Sequence, residues 1–161
     1  MVNRLGSAIL HRPGEFTRGF WGTKKLFKTE RFTVDFVVDG TPLYSLIKDG
    51  DLCGVLMTKR EKDFRNHFNQ EVGTRFRSVE GEHRRIVLYT CPECWDPWCG
   101  AVACDLAHAE GHVTWSRFAY ECGYIDEATP DFSSYENVGP FKFAAGQYAD
   151  AIERAVRGET D

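Results

Sequence analysis

Between Arg31 and Val38 the apolar residues Phe32, Val34 and Phe36 alternate with others before Asp39-Gly40, the pattern of a half-buried strand closed by a turn. Thr41-Pro42 then reads as an N-cap with proline at the first helical position. It opens a short helix through Leu43, Leu46 and Ile47 that ends at Asp49-Gly50-Asp51. The brief apolar run from Leu52 to Met57 suits a second strand or a buried connection, with Cys53 as core. From Lys59 to Val72, Phe64 and Phe68 lie four residues apart among charges, which predicts an amphipathic helix with a narrow apolar stripe and a solvated charged face.

Past Thr74 the period changes. His83, Arg84 and Arg85 lead into Ile86–Tyr89 as a strand, the residues from Ala101 to Ala107 form another, and His112 to Glu121 a third after a turn at Ala109–Gly111. The three make an antiparallel meander. After Cys122 the chain loses period through Gly123, Pro130, Ser133, Ser134 and Gly139-Pro140. In Phe143 to Arg157, Ala144, Tyr148, Ile152 and Ala155 recur at helical spacing, a final helix expected to cover one face of the sheet. Residues 1–30 show no sustained period and read as an irregular segment. Its Phe16, Phe20, Trp21, Leu26 and Phe27 are too apolar for a free tail. The expected fold is α+β: residues 31–161 as a single domain, an antiparallel sheet with helices packed mainly on one face.

Between the first two meander strands lies the stretch from Cys91 to Gly100, Cys-Pro-Glu-Cys-Trp-Asp-Pro-Trp-Cys-Gly. Two prolines and a glycine exclude helix interior and central strand, so it is a hairpin loop whose cysteines serve chemistry or a crosslink. In an antiparallel ladder paired indices keep a constant sum. Pairing Cys91 with Gly100 sets Tyr89 against Val102 and Val87 against Cys104, well down the strand from the loop. Pairing His108 with His112 sets Cys104 against Ser116, Val102 against Phe118 and Trp98 against Cys122, which brings Cys122 beside the loop. Cys91, Cys94, Cys99 and Cys122 are therefore a candidate zinc site, with Trp95, Pro97 and Trp98 as a shield for the thiolates.

Only one Cys-x2-Cys pair is present, and reduced thiols without metal and a disulfide stay open beside zinc. Cys91 and Cys94 are also a candidate redox pair. The helix that follows such a pair in thioredoxin-like proteins is missing, since Trp95 to Gly100 leads to a strand.

The 161 residues suit one domain with a core of its own, and the net charge of −4 argues against nucleic-acid binding. Charge is uneven: basic residues predominate from Arg4 to Arg31, and the chain after Glu121 is acidic. No apolar targeting region precedes His11 and no run reaches the ~18 apolar residues of a membrane span, which leads to the expectation of a cytoplasmic protein without membrane partners. There thiols are usually reduced, which bears on all six cysteines. Fainter groupings are His108 with His112 across a turn, Glu80, Glu82 and His83 near an arginine pair, and Asp126, Glu127 and Asp131 as a cation or partner site. Each equally suits a solvated surface. Dinucleotide, phosphate-loop, serine-hydrolase and zinc-protease motifs are absent from the sequence.

With these residues in view, the chain resembles a group of uncharacterised bacterial proteins, mostly actinobacterial, some of which carry an oxidoreductase label. The likeness covers most of the chain after residue 31. It runs from Phe36–Leu43 through Leu88–Cys94, Cys99–Val102 and Val113–Glu121 to Gly139–Phe143 and Gln147-Tyr148. The group has Gly-Asp where this chain has Trp95-Asp96, and three loop cysteines without an equivalent of Cys122. The label implies no defined reaction, and none is carried over.

For function, a small acidic domain without a catalytic signature points to action through its surface. The expectation is a non-enzymatic cytosolic protein-binding domain, of the kind exemplified by an immunity or antitoxin protein that neutralises a cognate toxin. The alternatives are a thiol-disulfide oxidoreductase using Cys91 and Cys94, and a structural zinc domain.

Overall fold

The expected meander is present in the computed structural model, which describes residues 1–47, 50–123 and 130–161. Its strands are β7 (His83–Thr90), β8 (Ala101–Ala109) and β9 (His112–Glu121). β6 (Cys53–Gly54) flanks it on one side and β10 (Phe141–Ala144) on the other, giving a five-stranded antiparallel sheet in the order β10-β9-β8-β7-β6. A second, three-stranded sheet has β4 (Arg31–Val38) between β1 (Leu5–Arg12) and β5 (Thr41–Pro42). A separate ribbon pairs β2 (Glu15–Arg18) with β3 (Lys24–Lys28).

Three helices complete the described chain: α1 (Leu43–Ile47), α2 (Asn66–Gly73) and α3 (Ala145–Val156). α3 packs on β1, β9 and β10, α2 packs on α3, and α1 sits against β4. The fold is thus a mixed α and β single domain built on antiparallel sheets, with strand predominating over helix.

The first 30 residues are not irregular, which corrects the sequence reading. β1 pairs along its whole length with β4, from Leu5 opposite Val38 to Arg12 opposite Arg31. The strand was hidden because its buried positions are neither uniformly apolar nor regularly spaced: Leu5 is joined by Ser7 and Arg12, both less than a tenth exposed, with intermediate and exposed residues between them. Buried polar groups that find partners leave no hydrophobic period to read.

The helix expected over residues 59–72 is also corrected, to α2 alone. Glu61 turns inward, accepts the Phe32 amide at 2.7 Å and lies beside Arg31, so residues 59–65 fold as turns around it. α2 is anchored by Asn69 more than by an apolar stripe. This fully buried amide accepts from the Met57 N–H at 2.9 Å and donates to the Met57 and Val156 carbonyls. The helix after Asp39-Gly40 begins at Leu43, since Thr41-Pro42 is strand, and Asp49 in its expected end lies outside the described residues.

What joins the two sheets is the short segment 53–58. On one side Cys53 and Gly54 pair with Thr90 and Tyr89 of β7, and Val55 N–H donates to Leu88 O at 3.1 Å. On the other, Val34 N–H of β4 donates to Leu56 O at 2.8 Å and Thr58 N–H to Phe32 O at 3.0 Å. Gly54 is needed at this crossing because a Cβ there would collide with the Val34 carbonyl. Above the crossing the core gathers on Trp115, whose ring lies 5.2 Å from Phe36, 5.4 Å from Phe143 and 5.9 Å from Tyr148, so that β4, β9, β10 and α3 share one aromatic cluster.

Backbone clash at Gly54 has no flexible side chain to relieve it. Gly54→Ala is expected to lower unfolding free energy by about 2–4 kcal/mol in urea titrations. By contrast Gly146→Ala, with open space around its Cβ in α3, should stabilise by several tenths of a kcal/mol or more.

Candidate functional site

β7 and β8 are joined by the Cys91–Gly100 loop, which folds by its own sequence. Trp95 N–H donates to Cys91 O at 3.0 Å, and Trp95 takes a left-handed φ of 57° to close that turn. The Asp96 carboxylate accepts the Trp98 N–H at 2.9 Å and caps a single 3₁₀ turn, Pro97–Cys99, with proline at its start. Gly100 follows at φ 143° in close contact with Tyr120. Together the two turns fold Cys99 back over the Cys-x2-Cys pair. The sulfurs of Cys91, Cys94 and Cys99 all lie within 4.8 Å of one another.

Those thiols are electrically unequal. Burial opposes ionisation of Cys91, but the backbone N–H groups of Cys94 and Glu93 and the thiols of Cys94 and Cys99 outweigh it and hold Cys91 below the usual cysteine range. Hydrogen bonds to Cys91 and Cys94 push the Cys99 thiol up to about 11. Of the clustered thiols, Cys91 is thus eased towards ionisation and Cys99 held back from it. Cys53 and Cys104 belong elsewhere. Both are fully buried, and desolvation raises Cys53 to about 12 and Cys104 well above its ordinary value.

A tetrahedral zinc with Zn–S near 2.3 Å needs sulfurs about 3.8 Å apart, so this trio requires an adjustment of roughly 1 Å at most to become a three-thiolate site. Cys122 lies beside the loop, as the hairpin pairing foresaw, yet it is not one of the clustered thiols. Its S–H is directed at the Trp98 and Cys99 carbonyls, 3.4 and 3.8 Å away. The expected register holds for Tyr89 opposite Val102 and then slips. Bulges between Val87 and Tyr89 and between Ala103 and Asp105 place Cys104 opposite Ile86, and the two-residue turn pairs Ala109 with His112. Val102 accordingly faces Tyr120, in place of Phe118. The expected shield is half present: Trp95 is partly buried, packing edge-on to Phe68, while Trp98 is 60% exposed, and Cys94 and Cys99 are open to solvent.

The loop is held from below by residues that the sequence did not single out. Arg12 and Arg31 face each other at the end of the β1–β4 ladder and are 8% and 7% exposed. Arg12 forms a bidentate pair with Asp51 at 2.7 and 2.6 Å and reaches Glu93 in the loop at 2.6 Å. Glu93 also accepts from the Thr29 amide and hydroxyl, at 3.0 and 2.8 Å. Burial works against ionised Glu93, but these donors prevail and bring its pKa down to about 2. Arg31 donates to Pro92 O at 2.8 Å and lies over the Trp95 ring, 5.1 Å from its centroid. No spacing rule links residues 12, 29, 31, 51 and 93. Only the strand register brings them together.

The fainter groupings disperse. His108 pairs with Val113, and its ring contacts Ser78 Oγ at 3.1 Å and Glu80 at 3.3 Å, whereas His112 Nδ1 lies 2.8 Å from Glu110 O. Glu82 binds the Val79 amide and Arg84, and His83 lies 3.9 Å from Asp105, so Glu80, Glu82 and His83 do not converge. Asp131 caps Ser133 and Ser134, while Asp126 and Glu127 lie outside the described residues. Among the described residues no helix is long and apolar enough to cross a membrane. Searches of protein-family models, curated proteins and solved structures return no match for this chain, so its own geometry carries the reading of the site.

Proposed function

We propose that the chain is a metal-binding domain in which Cys91, Cys94 and Cys99 hold one zinc ion as thiolates. The convergence of three sulfurs within 4.8 Å at a loop already braced by Arg12 and Arg31 carries this reading. Three soft thiolate donors suit zinc over hard cations. The fourth position is left to water, to a ligand atom, or to a shifted Cys122. An ion there would crosslink β7 to β8 and fix the loop, which is the structural role, while an open fourth position is what a reacting site retains.

A protein-binding role of the immunity or antitoxin kind draws support from a different feature, the β2–β3 ribbon. Phe16, Leu26 and Phe27 are half exposed or more, and Phe20 and Trp21 at its tip about nine-tenths. An aromatic-rich ribbon of this sort is the composition of an interface centre. On this reading the partner is a protein, and a toxin encoded beside this chain is the first to test: co-purification lost on replacing Phe20 and Trp21 by Ser supports it, and retention opposes it.

The metal-free trio also has the parts for thiol-disulfide exchange. The Cys91 thiolate attacks a substrate disulfide, one substrate sulfur leaves as thiolate and a mixed disulfide forms. Cys94 then attacks the Cys91 sulfur, releasing the second substrate thiol and leaving a Cys91–Cys94 disulfide.

Zinc titration of the metal-free chain should reach one ion per chain, and Cys91→Ser or Cys94→Ser should weaken it at least a hundredfold. Cys122→Ser, outside the cluster, should change affinity less than fivefold. A hundredfold loss there would make Cys122 the fourth ligand. Because binding displaces thiol protons, above all the one held at about 11 on Cys99, affinity should rise between pH 6 and pH 8, and buffer-dependent calorimetry should register proton release. A folded chain that binds no zinc at pH 8 removes the metal reading.

Alkylation discriminates the exchange reading. In the metal-free chain Cys91 should react with iodoacetamide at pH 7 faster than Cys99, with Cys53 and Cys104 protected until unfolding, as mapped by mass spectrometry. Incubation with oxidised glutathione should yield a Cys91–Cys94 disulfide. Stable glutathionylation of Cys91 without ring closure would count against exchange.

A further inference from the structure

Beside the cysteine loop, and independent of any metal in it, a chamber of about 440 Å³ opens between β7, α2 and the loop residues Trp95 and Pro97. This is within the size range of small-molecule sites. Val55, Val72, Phe76, Ile86 and Val87 give it apolar walls, and Trp95 with Phe68, ring centroids 5.9 Å apart, gives it an aromatic one. One uncharged polar side chain lies among them. Thr90 is 1% exposed, and its hydroxyl has no hydrogen-bond partner among the described residues. A buried hydroxyl left unpaired is costly, and a β-branched apolar residue would fill the same strand position without that cost.

The charges around the chamber do not select an ion. Arg85 is engaged by Asp105, Glu121 and the carbonyls of Arg117 and Ala103. Glu71 and Arg75, the other charged residues lining it, carry opposite signs. What the chamber lacks is one hydrogen-bonding group at Thr90 and apolar, preferably flat, bulk to lie against Trp95. We propose that it is a binding site for a neutral aromatic molecule carrying a single hydroxyl, a compound of the phenol class, whose hydroxyl meets Thr90 Oγ1 and whose ring packs on Trp95.

4-Ethylphenol is a suitable probe, followed by calorimetry on the full-length chain with and without zinc. Saturable binding of one molecule per chain is expected in both states. Thr90→Val, nearly isosteric, should weaken it about fivefold, the value of one neutral hydrogen bond, and should raise the melting temperature of the ligand-free chain. Val87→Phe, which fills the chamber, should weaken binding more than tenfold, and Trp95→Ala should also weaken it. Trp98→Ala, on the same loop but outside this lining, should leave it unchanged. Absence of saturable binding to the folded chain would overturn the proposal, as would affinity unaltered in both Thr90→Val and Val87→Phe. Phenol binding in a chain that takes up no zinc upholds this site while the metal reading fails, so the two are separable.

Discussion

Two arginines at one end of a strand pair determine where the cysteine loop sits. Arg12 and Arg31 are buried with their charges, a situation that is tolerable only when each guanidinium is met by several acceptors. Arg12 takes Asp51, Glu93 and Thr29 O, and Arg31 takes Pro92 O, Asp63 and the nearly inaccessible Glu61. These acceptors come from β3–β4, the segment after α1, the turns before α2, and the loop itself. Satisfying two buried cations therefore assembles four separate stretches around the thiols. The loop is braced from below through the backbone of Pro92 and the side chains of Glu93 and Trp95, none of which is a thiol.

The same logic explains the seam. Residues 53–58 give hydrogen bonds to both sheets, so β4 and β7 cannot move independently, and Thr90 at the top of β7 precedes Cys91 directly. Rigidity is thus carried from the aromatic cluster around Trp115, through the seam, to the base of the loop. The exposed ribbon β2–β3 lies outside this chain of contacts and keeps its aromatic side chains in solvent.

Much of the fold was legible where burial and hydrophobicity coincide. Phe32, Val34 and Phe36 announced β4, and the apolar runs from Ile86 to Tyr89 and Ala101 to Leu106 announced the meander with its loop. Three of the loop cysteines were visible as a cluster from spacing and turn residues alone. What stayed hidden was carried by polar residues in buried places. Ser7 and Arg12 masked β1, Glu61 stopped a helix that its neighbours favoured, and Asn69 anchored α2 where only Phe64 and Phe68 had signalled a face. Register was legible near the first turn and lost past the bulge that follows it, because an inserted residue shifts the index sum and leaves no mark in composition; in the second hairpin it was already off by one at the turn, and the bulge there added a further slip. Cys122 ended beside the loop despite that slip. Its place next to Trp98 follows from Gly123, which donates to Trp98 O at 3.0 Å and has no side chain to keep the indole away.

β1 is an edge strand, paired with β4 on one side only. Along its other side the backbone of Leu5 exchanges hydrogen bonds with the Gln147 amide, and Ser7 exchanges them with the side chain and N–H of Asp161. One helix side chain and one residue far along the sequence thus occupy the positions that a strand from another molecule would need. The protein keeps this edge from templating aggregation by plugging it with its own chain, without the lysines or prolines that usually do so. Loss of Asp161 would uncover the backbone of Ser7 on this edge while Gln147 still covers Leu5.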